Sequence, residues 1–334
     1  MQIATTENTI YTSPDASKIF CYTPSIIVTP TGRLIVSFDL GGEGVKSIEG
    51  HKSSRAGGSR FGQGKIFISD DNGQKWTFVQ NFPFWHARLF TIGNSIYLIG
   101  HAGDICIMKS EDNGESWSDT YFLTHGEKWH SSACNVLFSN GNVYLAMEQR
   151  CRLNEVTGWD VAGLSPTLFR ACVEDNLCLA SSWSRSEKFI YKEVFDGAKL
   201  DFFGIPFYDC ETNKPKEIAT GINNAPLGWL EANVVKFVDK DHIWHTDLKE
   251  VFHLFLRAHT GGVNYAHLFK IEIQDDQSMI PSLEHTPSGQ KISYIPFPGG
   301  HLKFFIIYDE LTRFYWLVSN QATDSMKIGR ASCR

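Results

Sequence analysis

A carboxylate opens one apolar run and a guanidinium closes the next: Glu231 in GWLEANVVKF and Arg257 in FHLFLRAH. A carboxylate so placed can take or relay a proton, and arginine's planar fork grips another carboxylate through two charge-assisted hydrogen bonds. Other ionisable groups recur at the ends of similar runs. They are His86 and Arg88 in FWHAR, His130 in KWHSS, His101 with Asp104, Glu148 with Arg150, Asp39 ending RLIVSFD, and His301 with Lys303 in GGHLKF. Tyr22 holds the corresponding place in CYTPSIIVT. The set suits proton transfer on an anionic substrate. Glu231 is the candidate base or base-assistant, and Asp39 or Glu148 the candidate proton donor. Arg257, Arg88, His86, His130, His101 and Tyr22 are candidate substrate contacts. Taken singly, a histidine at a strand end is a hydrogen-bonded structural residue and a carboxylate at a turn is a solvated cap; recurrence favours function. The histidines show no close ligand spacing such as HxxxH, so no metal is expected, and no cofactor is implied.

The elements that must position these groups are short runs rich in Val, Ile, Phe and Tyr: SIIVT (25–29), RLIVSFD (33–39), KIFIS (65–69), SIYLIGH (95–101), ICIMKS (105–110) and NVYLAME (142–148). Runs of this length and composition, bounded by Gly, Asn and Asp, predict strands. PTGR (30–33), IGNS (92–95) and SNGN (139–142) predict tight hairpins. No convincing amphipathic helix is present, so the chain is expected to be all-β.

One pattern repeats. Ser69-Asp70-Asp71-Asn72-Gly73-Gln74-Lys75-Trp76 and Ser110-Glu111-Asp112-Asn113-Gly114-Glu115-Ser116-Trp117 both fit S-x-D-x-G-x-x-W and start 41 residues apart. Each follows a strand and precedes another. A period of roughly 40–50 residues with four strands per unit is that of propeller blades. The Ser hydroxyl and Asp carboxylate suit backbone N–H groups across the turn, Gly supplies left-handed backbone, and the Trp is expected to wedge between sheets.

This motif is the Asp-box, and on it the chain resembles the sialidase superfamily. The resemblance implies a six-bladed β-propeller whose Asp-boxes lie away from the active site. Blades are expected at about 20–81, 85–123, 129–194 (with a degenerate turn near Asp175 and Trp183) and 228–283, with a fifth opening near Ile292. Innermost strands then start, and second strands end, at one mouth of a central channel, where the ionisable groups and Trp85, Trp129 and Trp229 would form a rim suited to sugar rings. GWLEANVVKF followed by FHLFLRAH is similar to the sialidase segment in which a Glu polarises a tyrosine nucleophile and an Arg holds the substrate carboxylate. Glu231 and Arg257 fit those places.

The chain departs from the family pattern at Cys21-Tyr22-Thr23-Pro24, where Tyr22 stands for the first Arg. It departs again in the loop 40–63, which carries His51, Lys52, Arg55 and Arg60 but no Asp. The resemblance therefore implies an exo-acting glycosidase on an acidic sugar, sialic or uronic. The alternatives are a polysaccharide lyase on the same fold and a glycan-binding propeller without turnover. Residues 1–327 are expected to be one incomplete propeller of about five blades, the third Arg and the tyrosine lying beyond Lys327. IGRASCR (328–334) reads as the translation of a sequencing adapter and is expected to be foreign.

A net charge of -6 argues against a nucleic-acid partner, and no apolar run is long enough to span a membrane. The eight cysteines form no CxxC pair and read as reduced, buried thiols. With no signal peptide visible, this leans towards the cytoplasm.

Overall fold

The computed structural model describes residues 7–54, 61–132, 134–151, 161, 163–194, 216–219, 222–224, 228–258 and 264–320. Among these, helix is confined to short turns at Glu43–Ser47, Ala180–Ser182 and Tyr191–Val194; no helix is long and apolar enough to cross a membrane. The remaining regular structure is antiparallel strand, as the β-branched and aromatic runs predict.

The chain forms two compact units, residues 1–133 with 173–183, and residues 134–172 with 184–334. In the first unit, Phe20–Val28, Leu34–Gly41, Phe61–Ser69 and Thr77–Phe82 pair in sequence as one antiparallel meander. Trp85–Ile92, Ser95–Ala102, Asp104–Ser110 and Tyr121–Phe122 form the next. These first and second sheets share a core of Ile35, Ile66, Phe82, Phe84, Leu89 and Leu98. In the second unit, Leu137–Ser139, Asn142–Arg150, Leu164–Cys172 and Ser184–Arg185 pair in order. Trp229–Val235, Val251–Ala258, Tyr265–Ile273 and Met279–Ser282 make the fourth sheet, and Phe304–Asp309 with Phe314–Ser319 a two-stranded fifth. Successive four-stranded meanders are propeller blades; with Asp-boxes closing the first two, the fold is a β-propeller of sialidase-like construction.

The first three sheets fall within about the expected blade boundaries, whereas the fourth extends past its expected end and the fifth starts later. Lys291–Ile292 pairs with Glu284–His285, and Tyr294–Pro296 pairs with Tyr265–His267 in the fourth sheet. The fifth sheet therefore starts at Phe304, not near Ile292. Of residues 195–224, expected to link the third and fourth blades, only Lys216–Ala219 and Ile222–Asn224 are described, as a strand pair; residues 328–334 lie outside the described residues.

Both Asp-boxes have the expected chemistry. Ser69 Oγ accepts from Gly73 N at 2.9 Å, and Asp71 Oδ1 from Lys75 N at 2.8 Å. Ser110 Oγ accepts from Gly114 N, and Asp112 Oδ1 from Ser116 N, each at 2.9 Å. Asn72-Gly73 and Asn113-Gly114 are all left-handed, with φ of 56, 82, 59 and 86°, the pair that two-residue turns of this hand need. Backbone hydrogen bonds hold the Asp71 carboxyl below the usual carboxylate range. Arg33 joins the two boxes. It forms a bidentate pair with Asp70 (2.6 and 3.0 Å) and donates to Asn113 O and Glu115.

Trp76 and Trp117 are half-buried rather than enclosed. Trp76 packs on the cluster containing Val36 and Phe38, and Trp117 on the core shared by the first two sheets. Near Asp175, the degenerate turn keeps one element of the box: Trp183 Nε1 donates to Leu177 O at 2.9 Å, as Trp76 Nε1 does to Gly73 O at 3.0 Å. The thiols of Cys106, Cys134 and Cys178 are buried, but Cys21 is exposed. Burial pushes the Cys106 thiol up to about 12.

Candidate functional site

The ionisable groups are placed by a feature repeated in three inner strands. Between Tyr22 and Ser25, Trp85 and Arg88, and Leu230 and Asn233, the inner strand carries one residue more than its partner. Each bulge holds a left-handed non-glycine residue: Thr23 (φ 49°), His86 (φ 54°) and Glu231 (φ 60°). Such backbone is uncommon outside glycine and costs on the order of 1–3 kcal/mol unless the surroundings impose it. Opposite the residue before each bulge, the second strand supplies Asp39, His101 and Arg257.

Side chains tie each bulge to a neighbouring sheet. Asp39, fully buried, accepts from His86 N at 3.1 Å. Glu148, 1% exposed, accepts from Ala232 N at 3.1 Å. Two residues beyond the left-handed position, Ser25 Oγ accepts from Leu89 N at 2.9 Å. At the matching place, Asn233 accepts from Ile306 N at 3.1 Å and donates to Phe304 O at 3.2 Å. The first two ties satisfy N–H groups that the bulges release from their own ladders.

In the first unit the structure gathers imidazoles. His86 Nδ1 lies 3.2 Å from His101 Nε2, and the His130 ring is 5.3 Å from that of His86 and 6.3 Å from that of His101. One nitrogen of the close pair must donate and the other accept. Arg88, 1% exposed, donates to Ser131 Oγ, so its guanidinium is held among buried groups instead of reaching into solvent. Tyr22 is exposed; its ring stands edge-on to Phe20 at 6.3 Å and lies across Gly41.

In the second unit Glu231, 4% exposed, lies between two cations. Arg257 Nη1 is 3.5 Å from Oε2, and Lys303 Nζ is 3.4 Å from Oε1. Arg257 is steadied by donation from Nε to His301 O at 3.0 Å. That carbonyl belongs to a glycine turn packed without spare room: a Cβ on Gly300 would stand 2.5 Å from Tyr265 O. The sequence placed His301 and Lys303 at the rim; their engagement with Arg257 and Glu231 depends on a turn that only the three-dimensional fold brings back over the fourth sheet.

One expectation is overturned. Trp85, Trp129 and Trp229 do not line a wet rim; they are 6, 1 and 0% exposed. Trp229 stacks on Phe189 at 5.3 Å and donates to Leu164 O at 3.2 Å. Trp85 fills the space left by Gly62, where a Cβ would stand 1.8 Å from its ring. Trp85 and Trp129 directly precede His86 and His130, and neighbours on a strand face opposite sides, so these indoles take the packed side. Trp229 stands two residues before Glu231, where the bulge after Leu230 breaks the alternation. His259, Arg55 and Arg60 lie outside the described residues.

No protein-family model and no curated protein matches the chain. Among solved structures it is similar to an α-L-arabinanase of Penicillium chrysogenum complexed with arabinobiose, at 11% identity and a TM-score of 0.47, over 92% of this chain and 78% of that one. It is also similar to a protein of unknown function from Dyadobacter fermentans (12% identity, TM-score 0.46, 87% of this chain and 72% of that one). A third is the NanB sialidase of Streptococcus pneumoniae (9% identity, TM-score 0.46), where 87% of this chain covers 51% of that chain, about half its length.

Proposed function

We propose that the protein is a glycoside hydrolase acting on a sugar that carries a carboxylate. The observation that carries this reading is the Glu231 carboxylate, buried on left-handed backbone and flanked by Arg257 and Lys303. Arg257 and Lys303 present two cations at a partly exposed spot, since Lys303 is 46% exposed. An anionic substrate group is drawn to such a spot, and Arg257 suits a carboxylate because its fork offers parallel donors. In this reading Glu231 serves as base or base-assistant and Arg257 as the carboxylate anchor. Asp39 and Glu148, which accept from backbone N–H groups at bulges, act as positioning residues.

A panel of chromogenic glucuronides, galacturonides and sialosides, with neutral glucosides and galactosides as controls, tests the reading. The acidic glycosides should be cleaved and the neutral ones spared. Glu231→Gln should remove turnover with little loss of binding, and Arg257→Ala should abolish recognition of the acids. Full turnover in both variants refutes the assignment.

A second reading, a polysaccharide lyase, is favoured by the imidazole cluster of His86, His101 and His130, which could supply a base for proton abstraction beside a uronate. Release of a UV-absorbing unsaturated product from a polyuronate separates it from hydrolysis.

A further inference from the structure

We infer that Lys303 is a specificity-determining residue that moves from Glu231 to the substrate carboxylate on binding; the inference rests on the acidic-sugar reading of this site. The two cations on Glu231 differ in how they are held. Arg257 is 15% exposed in its side chain and fastened twice, to His301 O through Nε and to Glu231 through Nη1. Lys303 is 46% exposed, and its ammonium meets Glu231 Oε1 at 3.4 Å. Its backbone carbonyl accepts from Asn320 Nδ2 at 2.8 Å, so the main chain is anchored while the four-carbon stem is free to swing. A compact ammonium on a flexible stem can change partners with little cost, whereas a guanidinium locked by two acceptors cannot.

The geometry gives the free site a closed charge arrangement, with one cation on each carboxylate oxygen of Glu231. An incoming carboxylate held by the outer edge of Arg257 offers Lys303 a second anion beside the first. Transfer of Lys303 to that anion neutralises it and uncovers Glu231 Oε1 for proton transfer. A neutral sugar offers no such partner, so Lys303 stays on Glu231 and Oε1 stays covered. Discrimination by charge and exposure of the base would thus come from one side chain.

Isothermal titration of the whole chain with glucuronic acid, N-acetylneuraminic acid and glucose tests this. At least one acid should bind. Lys303→Gln should weaken it about tenfold, the loss of one charge-assisted contact, with Lys303→Arg recovering part of the loss. Arg257→Ala should abolish acid binding. Circular dichroism should show both Lys303 variants folded, since Lys303 lies at the surface, and it checks separately that Arg257→Ala keeps the fold. If Lys303→Gln binds acid as tightly as the unaltered chain while Arg257→Ala does not, the Lys303 inference is wrong and the acidic-sugar reading survives. If the unaltered chain binds neither acid, both fall together.

Discussion

Glu148 separates a supporting role from a reacting one by a single substitution series. Its carboxylate is 1% exposed and accepts from Ala232 N at 3.1 Å, with Ala232 itself fully buried. Glu148→Ala deletes the acceptor and leaves that N–H in a dry environment. A buried donor stripped of its partner costs about 1–3 kcal/mol, and the vacated side-chain volume adds to it. Glu148→Gln keeps a carbonyl oxygen where Oε1 stood, so its cost should stay under about 1 kcal/mol. Ala232 follows Glu231 directly, so the Ala variant should also loosen the left-handed turn and weaken acid binding several-fold, while the Gln variant should keep it. Urea unfolding at unchanged m-value gives the stability difference, and titration with an acidic sugar gives the binding difference. A stable, binding-competent Gln variant without turnover would show that the Glu148 proton itself takes part, and the positioning argument would be refuted.

Gly114→Ala should destabilise more than Gly73→Ala, by about 1 kcal/mol. Both have positive φ, but a Cβ at Gly114 stands 2.4 Å from Ile35 Cδ1, a fully buried side chain, whereas at Gly73 the nearest atom is 3.4 Å away. Equal unfolding midpoints would show that the second Asp-box does not press on the first sheet. Stability should also fall as pH drops below the ordinary imidazole value of 6.5, because burial lowers the pKa of His253 and pushes His267 down to about 3. The unfolded chain then takes up protons that the folded chain refuses, so stability is full above 6.5 and lost below it. Urea midpoints between about pH 7.5 and 5.5 should show this slope, and His267→Phe should flatten it; an unchanged slope in that variant counts against the argument.

The strands, hairpins and Asp-boxes were legible because each rests on local chemistry: alternating apolar runs, Asn-Gly turns, and a Ser and Asp that accept from their own turn. The pairing of Glu231 with Arg257 was also legible, since an antiparallel hairpin returns its second strand to where the first began, and Leu230 does stand opposite Arg257. The tryptophans were misread for a local reason. Closeness in sequence to His86 or Glu231 suggests a shared surface, but Trp85 and His86 are neighbours on a strand and face opposite ways, and the bulge after Leu230 turns Glu231 away from the side that Trp229 packs. The start of the fifth sheet was misplaced because Tyr294–Pro296 has the composition of a strand, and composition does not say which sheet it joins.

What no pattern in the sequence announced is the bulge that sets the side chains in place. Thr23, His86 and Glu231 occupy the same left-handed position in three sheets, with the same register shift behind them. Backbone strain at Glu231 alone would invite a catalytic explanation. Its recurrence at Thr23, where the side chain is a buried threonine, shows that the bulge belongs to the blade design and precedes any chemistry. The fold thus offers an equivalent strained position in the first, second and fourth sheets, each backed by a second-strand residue: Asp39, His101 or Arg257. Function then depends on which side chains stand there. In the fourth sheet the occupants are a carboxylate and a guanidinium with Lys303 alongside, in the second a histidine pair, and in the first a threonine beside a carboxylate that accepts from the next bulge. The charge at each position, and not the strain, is therefore what the substitutions at Glu231, Arg257 and Lys303 put to the test.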